Sequence, residues 1–330
     1  MAEINALSKQ GQIMNAGDEL AGFLKVFAGE TIAAFSRASK AMDKHIVKTI
    51  SSGKSASFPV FGRTKAHYLK PGESLDDKRE AMEHNEKIIA IDGLLTADAL
   101  ISDLYDEMAH FDSRQEYARQ MAEALAISAD SAIIAEIAKL AKETKENATG
   151  LGAGTIIAKT VSKGQKGITA EYGLAIIKAL LELKAKFSNN YVPLEDRIAY
   201  MKPEAVAAII ASKDAINRDY GAVASIVDGQ LDKLCGFMVV EVPHLTAGGA
   251  NKAGMIGTNP SGHDFPPDLK DNVAFVACHR TAVGTLKLKD LSFETARRAE
   301  YQADQLIVKY AMGHGGLRPE AAAVCTITEV

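Results

Sequence analysis

The run SASFPVFGRTKAHYL, from Ser55 to Leu69, opens with alternating polar and apolar residues, a period of two that predicts a β-strand. Pro59 sits in the middle of that alternation. It cannot donate a ladder hydrogen bond, so the strand belongs at a sheet edge or in a free-standing ribbon. EKIIAIDG, from Glu86 to Gly93, supplies a return strand. Pro71-Gly72 marks a turn between them, and ESLDDKREAMEHN forms a charged tip or descending limb. A two-stranded hairpin is marginally stable in water, so this ribbon must lie on some other surface.

The tripeptide Gly53-Lys54-Ser55 at the start of the ribbon raises a nucleotide-binding reading, which fails. A phosphate loop needs a glycine five positions before its Gly-Lys-Ser and a helix after it. Here that position is Lys48, and a strand pattern follows.

The chain has 330 residues, enough for one large or two ordinary domains. Its 47% apolar and 24% charged residues are those of a globular protein. No apolar run approaches a membrane span, and MAEINALSKQ lacks the pattern of a secretion signal, so neither is expected. Cys235, Cys278 and Cys325 are odd in number and widely spaced, which suits buried thiols better than a disulfide framework. Charge is unevenly distributed: residues 1–70 carry ten Lys/Arg against five Asp/Glu, and residues 71–146 carry eight against eighteen. Opposite potentials of this kind permit head-to-tail pairing between copies. They equally describe two solvated faces of one domain.

Elsewhere the patterns predict an α+β chain. Leu20, Phe23, Leu24 and Phe27 form a helical stripe, with Phe35, Met42 and Ile46 on a similar face further on. Thr96 is an N-cap candidate for ADALISDLYDEMAHF. Ser113, with Glu116 three residues later, starts a helix that runs without proline to about Glu143, roughly 45 Å at 1.5 Å per residue. Asn147–Gly167 reads as a glycine-rich linker. A helix follows over Thr169–Phe187, DRIAYM is a strand, and Pro203 opens a short helix. GFMVVEVPHL, NVAFVACH, AVGTLKLKDL and SFETARRAE read as strands. The stretch from Thr246 to Asp271 reads as a long loop, and the C-terminal stretch turns on Gly313–Gly316 before a β-rich tail.

No catalytic constellation emerges. Gly313-His314-Gly315-Gly316 resembles an esterase oxyanion loop, but the G-x-S-x-G nucleophile elbow that such chemistry requires does not occur. The competing reading is a tight turn at Gly313, Gly315 and Gly316, like that at Gly72, where glycine adopts positive φ without steric cost. The eight histidines lack metal-ligand spacing, and Cys278-His279 on a strand would point to opposite faces. No catalytic, cofactor-binding or metal-binding residues are assigned, and no cofactor is expected.

The order of parts is informative: a weak helical arm, a long charged hairpin, a long helix, a glycine-rich junction, an α/β region and a β-rich tail. That order, with the segments DELAGFLKVFAGE, ISSGKSASFPVFGRT, PGESLDDKR, IDGLLTADALI, VVEVPHLTAGGA and YQADQLIVKYAMGHGGLRPEAA, resembles the major capsid proteins of short-tailed phages, with the Hong Kong ninety-seven type capsid fold. The resemblance implies an N-terminal arm over 1–50, an extended E-loop over 51–93, and the first part of a P-domain with its spine helix over 94–149. An A-domain over 150–271 and return strands with a C-terminal tail over 272–330 complete it. It implies a shell of hexamers and pentamers around double-stranded DNA, assembled with a scaffolding protein and a portal at one vertex, then expanded on maturation. No membrane partner is implied. On this reading Phe58, Phe61 and Tyr68 of the ribbon give a neighbouring copy apolar contacts. Arg63, Lys65 and Lys70 meet a neighbour's Asp103, Asp106, Glu107, Glu116 and Glu123, without covalent crosslinks. The alternatives are an encapsulin-like compartment shell of the same fold, and a hydrolase built on the Gly-His-Gly-Gly turn.

Overall fold

The computed structural model describes residues 7–8, 39–74, 76–78, 81–104, 114–212, 231–243, 245, 263–269 and 271–330. The spine is α1 (Arg114–Lys142), which contains neither glycine nor proline in 29 residues and is about 43 Å long. Two sheets lie along it. Its first half sets Met121, Leu125 and Ala129 against Ile101, Leu306, Val308, Tyr310 and Met312 of a five-stranded sheet. Its second half, Ile133, Ile134, Ile137, Ala138 and Leu140, enters the core of a six-stranded sheet. The alanines between these residues keep the helix narrow enough to be covered on nearly every side there.

The five-stranded sheet runs β1 (Leu7–Ser8), β5 (Leu95–Ser102), β12 (Ala303–Gly316), β11 (Val283–Arg298) and β2 (Ile46–Thr49). The six-stranded sheet runs β6 (Thr155–Val161), β13 (Ala322–Glu329), β10 (Val273–His279), β7 (Arg197–Met201), β9 (Phe237–Glu241) and β8 (Lys233–Leu234). Its inner strands β7 and β10 are buried at every residue, which explains their near-continuous apolar sequences. One face is covered by α2 (Ala170–Asn189), whose Tyr172, Ile176, Leu180, Leu183 and Phe187 form the buried stripe. Thr169 caps it, accepting from the N–H of Tyr172 at 3.3 Å. Pro203 begins α3 (Pro203–Ala211), which packs on α2. Ribbon strands β3 (Ser55–Phe61) and β4 (His84–Ala90) make a separate two-stranded sheet, as Pro59 requires.

Five expectations are corrected. Thr96 does not cap a helix: Leu95–Ser102 is a strand paired with β12, and Leu95, Ala97, Ala99 and Ile101 line one face against α1. Alanine is the strongest helix former and is depleted in strands, so Ala97 and Ala99 hide the alternation. Ile46 begins β2 instead of extending a helix through Met42. The linker over 147–167 contains β6, which pairs with β13. The two strands read over 283–298 are one strand, bent by register shifts between Lys287 and Ser292. The helical stripe over 20–27, Phe35, the Ser113–Glu116 capping box and most of the loop over 246–271 lie outside the described residues.

The fifth correction concerns Gly313, Gly315 and Gly316. They are not turn residues; all three lie within β12, and none has positive φ. Their lack of a Cβ serves close approach instead. A Cβ at Gly313 would collide with the carbonyl oxygen of Ala90, at Gly315 it would lie 2.8 Å from Ile89, and at Gly316 2.5 Å from Leu140. Gly72 is a true turn glycine, with φ +89° and open space around it. Gly313→Ala is therefore expected to destabilise the chain by about 1–3 kcal/mol, because backbone must move. Gly72→Ala clashes with nothing and only forces alanine into the left-handed region at an exposed tip, so it should cost less, about 1 kcal/mol. Thermal denaturation of the two variants checks this; equal losses would contradict it.

Candidate assembly interface

The ribbon has two unlike faces, as a period of two dictates. In the register Ala56↔Ile89, Phe58↔Lys87 and Val60↔Asn85, the inner face lies on the chain's own body. Phe58 and Ile89 pack with Leu286 and Leu317, and Val60 packs with Ala148 and Leu151. Lys48 places its ammonium 5.4 Å from the Phe58 ring centroid and donates to the Ser57 carbonyl at 3.2 Å. The glycines of β12 give the root of the ribbon room to sit this close.

Residues 147–151 form a saddle under the ribbon's shoulder. Asn85 Nδ2 donates to the Asn147 carbonyl at 2.9 Å, and the Thr149 hydroxyl donates to the Glu83 carboxylate. The Arg63 N–H donates to the Thr149 carbonyl at 3.2 Å, while the Gly62 N–H bonds across the ribbon to Glu83 at 2.9 Å. The Arg63 guanidinium lies 4.7 Å from the Tyr191 ring centroid and donates to the Asn190 carbonyl at 2.5 Å. Beyond Arg63 and Glu83 the described residues of the ribbon are exposed, apart from half-buried Lys78. The tip is organised locally: Glu73 accepts from Lys78 at 2.7 Å, and Lys78 also donates to the Tyr68 carbonyl at 3.1 Å. The Lys78 hydrogen bond, assisted by the Lys70 N–H, holds the Glu73 carboxyl below its ordinary range.

The outer face and tip carry apolar side chains in the open. Phe61 is 60% exposed, Ile88 70% and Tyr68 99%, with Leu69 and Met82 also exposed. Of the residues expected to meet a neighbour, then, Phe61 and Tyr68 stand outward, and Lys65 and Lys70 lie on the exposed tip. Phe58 does not. It is 7% exposed and committed to the chain's own core, because it shares the inner face with Val60. Arg63 is likewise committed to Tyr191 and Asn190. Among the expected acidic partners, Asp103 forms a two-pronged pair with Arg297, which also meets Asp304 at 3.1 Å. Glu123 is half-buried on α1; Asp106 and Glu107 lie outside the described residues, as does the side chain of Glu116. Ile88 was missed, although strand parity pairs it with Ser57 on the face opposite Phe58.

The Gly-His-Gly-Gly segment lies within β12, with Gly313 and His314 buried and Gly315 and Gly316 half-buried. His314 is buried, with Nδ1 2.8 Å from the Thr285 hydroxyl, which also lies 2.5 Å from His45 Nε2. Burial, then the neighbouring His263 and His45, push its imidazole down to about 3, so it stays neutral. Cys278 and Cys325 are buried thiols, each pushed up by burial to about 12. Among the described residues no group of three or more His, Cys, Asp or Glu is arranged to hold a metal ion. None of the described helices is long and apolar enough to cross a membrane.

A family model described as Gp10A-like major capsid protein matches residues 57–326. The chain belongs to that family. This capsid protein is 51% identical over 327 residues to the major capsid protein of Escherichia phage T7, covering 96% of this chain and 94% of the relative. It is 49% identical over 336 residues to the major capsid protein of Enterobacteria phage T3, covering 98% and 96%. Among solved structures, the capsid of cyanophage P-SCSP1u matches with a TM-score of 0.74 and 30% identity over 97% of this chain and 98% of that one. The fold is the Hong Kong ninety-seven type of phage capsid proteins, and the relatives are structural proteins of phage heads.

The two faces of the ribbon predict opposite stability effects. Phe58→Ala should cost the soluble chain about 3–5 kcal/mol through a core cavity. Phe61→Ala should change it by about 0.5 kcal/mol or less. Denaturant unfolding measures both, and a large loss for Phe61→Ala would place it in the chain's own core.

Proposed function

We propose that this capsid protein self-assembles, with a scaffolding protein and a portal at one vertex, into hexamers and pentamers of an icosahedral phage head. The head encloses double-stranded DNA and expands on maturation. The observation that carries the reading is the ribbon: its inner face is satisfied by its own chain, while its outer face and tip leave large apolar side chains in water. A second copy is the natural cover, since the same contact can then repeat throughout a closed shell. Phe61, Ile88, Tyr68 and Leu69 form the apolar part of the contact. Lys65 and Lys70 steer it toward an acidic surface of the neighbour, for which Glu123, Asp106, Glu107 and Glu116 remain the partners proposed. Single exposed ion pairs add only about 0–1 kcal/mol. Weak contacts of that size, many times repeated, allow misplaced copies to leave during assembly.

The domain division proposed is an arm over 1–50, the E-loop over 51–93, the spine region over 94–149, an A-domain over 150–271 and return strands with the tail over 272–330. The formal charge of −4 suits a container wall, because a wall that neutralised many phosphates would bind the packaged DNA tightly. About half identity to phage major capsid proteins across nearly the whole chain favours this reading over an encapsulin-like compartment. The burial of His314 and Thr285 removes support from a hydrolase.

Phe61→Asp combined with Ile88→Asp should leave a soluble, folded chain that builds no closed particles when produced with its scaffolding protein. Electron microscopy and circular dichroism read the two halves of that outcome, and normal shells would contradict it. Mature particles should migrate as single chains on a denaturing gel, and a ladder of linked chains would show that Lys65, Lys70 or another lysine forms covalent bonds.

A further inference from the structure

The Gly-His-Gly-Gly strand borders a polar cluster, buried at its histidines and partly open to solvent at Asp92 and Lys139, in which separate parts of the chain meet. His263, in the segment leading to β10, places Nε2 2.8 Å from Asp92 Oδ2 and Nδ1 2.8 Å from Glu136 Oε1. Asp92 lies just past the end of ribbon strand β4, and its own N–H donates to the Met312 carbonyl of β12 at 3.1 Å. Glu136 belongs to α1 and also accepts from Lys139 at 2.8 Å. The His314 ring stands edge-on to His263, centroids 5.8 Å apart, and connects through the Thr285 hydroxyl to His45, just before β2. His263 is 8% exposed.

Ionised carboxylates only accept hydrogen bonds, so a ring with a carboxylate at each nitrogen must carry a proton on both. His263 is therefore an imidazolium. The cluster balances: two carboxylates, Asp92 and Glu136, face two cations, His263 and Lys139. His314 remains neutral beside them. The other titratable groups nearby are His45 behind Thr285, Asp264 next in the chain, and Tyr310 on β12, which senses Asp92.

We propose that His263 is a charged latch that fastens both the ribbon's exit at Asp92 and the segment 263–269 to the spine helix at Glu136, so that these two outlying parts loosen together when the latch opens. The glycines of β12 explain why the parts can meet, since they let the ribbon pass close enough for Asp92 to reach the ring. This assignment concerns the folded chain itself and does not rest on the shell reading.

The pH dependence has a definite sign. Burial alone would lower the His263 imidazolium, but hydrogen bonds to Asp92 and Glu136 outweigh it and raise the group to about 9. A cation raised above its ordinary value of 6.5 stabilises fully below that value and loses its contribution as pH rises through 9. On the acid side, burial raises the Glu136 carboxyl, but hydrogen bonds from His263 and Lys139 prevail and hold it below 4.5. Its contribution is lost as pH falls through that lowered range.

Amide hydrogen exchange of the full-length soluble chain, corrected for intrinsic base catalysis, tests the latch. Between pH 7 and pH 10 the wild type should lose protection about tenfold, and in step, over 84–92 and 263–269. His263→Gln should exchange rapidly in both regions already at pH 7 and show no further rise. Wild-type protection in that variant, or loosening of one region alone, would overturn the proposal. Should His263→Gln fail to fold, Asp92→Ala, which removes the acceptor, cuts only the ribbon arm of the latch. It must loosen 84–92 at pH 7, and unchanged protection there would equally overturn the proposal.

Discussion

Everything outward in this chain depends on one contact, the seat of the ribbon's root on β11 and β12. A free two-stranded hairpin is marginal in water. Here Phe58 and Ile89 are buried against Leu286 and Leu317, each apolar side chain contributing about 1.5–3 kcal/mol. The seat exists because Gly313 and Gly315 present bare backbone where side chains would otherwise stand. With the root fixed and the saddle of 147–151 beneath the shoulder, the described residues of the tip stand almost wholly in solvent, Tyr68, Leu69 and Met82 among them. A rigid root and an exposed tip are what a contact between copies needs: direction from the first, surface from the second.

The same logic governs the rest of the molecule. The spine helix belongs to two cores at once, so the five-stranded and six-stranded sheets are held by one continuous element. The segment before β2 is pinned to that helix by Asp130, which accepts from the Ser39 hydroxyl and from the N–H groups of Lys40 at 2.6 Å and Ala41 at 3.2 Å. Burial raises the Asp130 carboxyl against the pull of these hydrogen bonds. Asp130 and Glu136 lie along one helix, and through His263 the second of them reaches Asp92 at the end of the ribbon. That helix thereby registers the incoming chain, the ribbon and the segment before β10 relative to each other.

The sequence revealed what strong periodicity marks. The spine helix, the α2 stripe, the buried runs RIAYM and NVAFVACH and the proline-bearing ribbon were all legible in it, as was the order of parts that carries the family resemblance. What escaped had weak or double-valued signals. Leu95–Ser102 alternates with alanines, which favour a helix over a strand and so hide the period of two. Gly313–Gly316 has the composition of a turn, yet its glycines serve close packing, a distinction only the neighbouring backbone makes. At the interface, apolar character drew Phe58 and Phe61 together, although three residues apart on a strand they must face opposite ways. Applying that parity to Ile88 would have found it. The ties of Arg63 to Tyr191 and of Asp103 to Arg297 span more than a hundred residues, and no local pattern encodes them.

On the proposed function, the exposed part of the ribbon is completed by another copy of the chain. Placing a thiol at the tip by Tyr68→Cys, with Cys235→Ser to remove the one partly exposed native thiol, tests it directly. Maleimide should react rapidly with the tip thiol of the soluble chain and be blocked once the chain is in closed particles. Equal reactivity in both states would mean that the tip stays bare in the shell, and the account would fail.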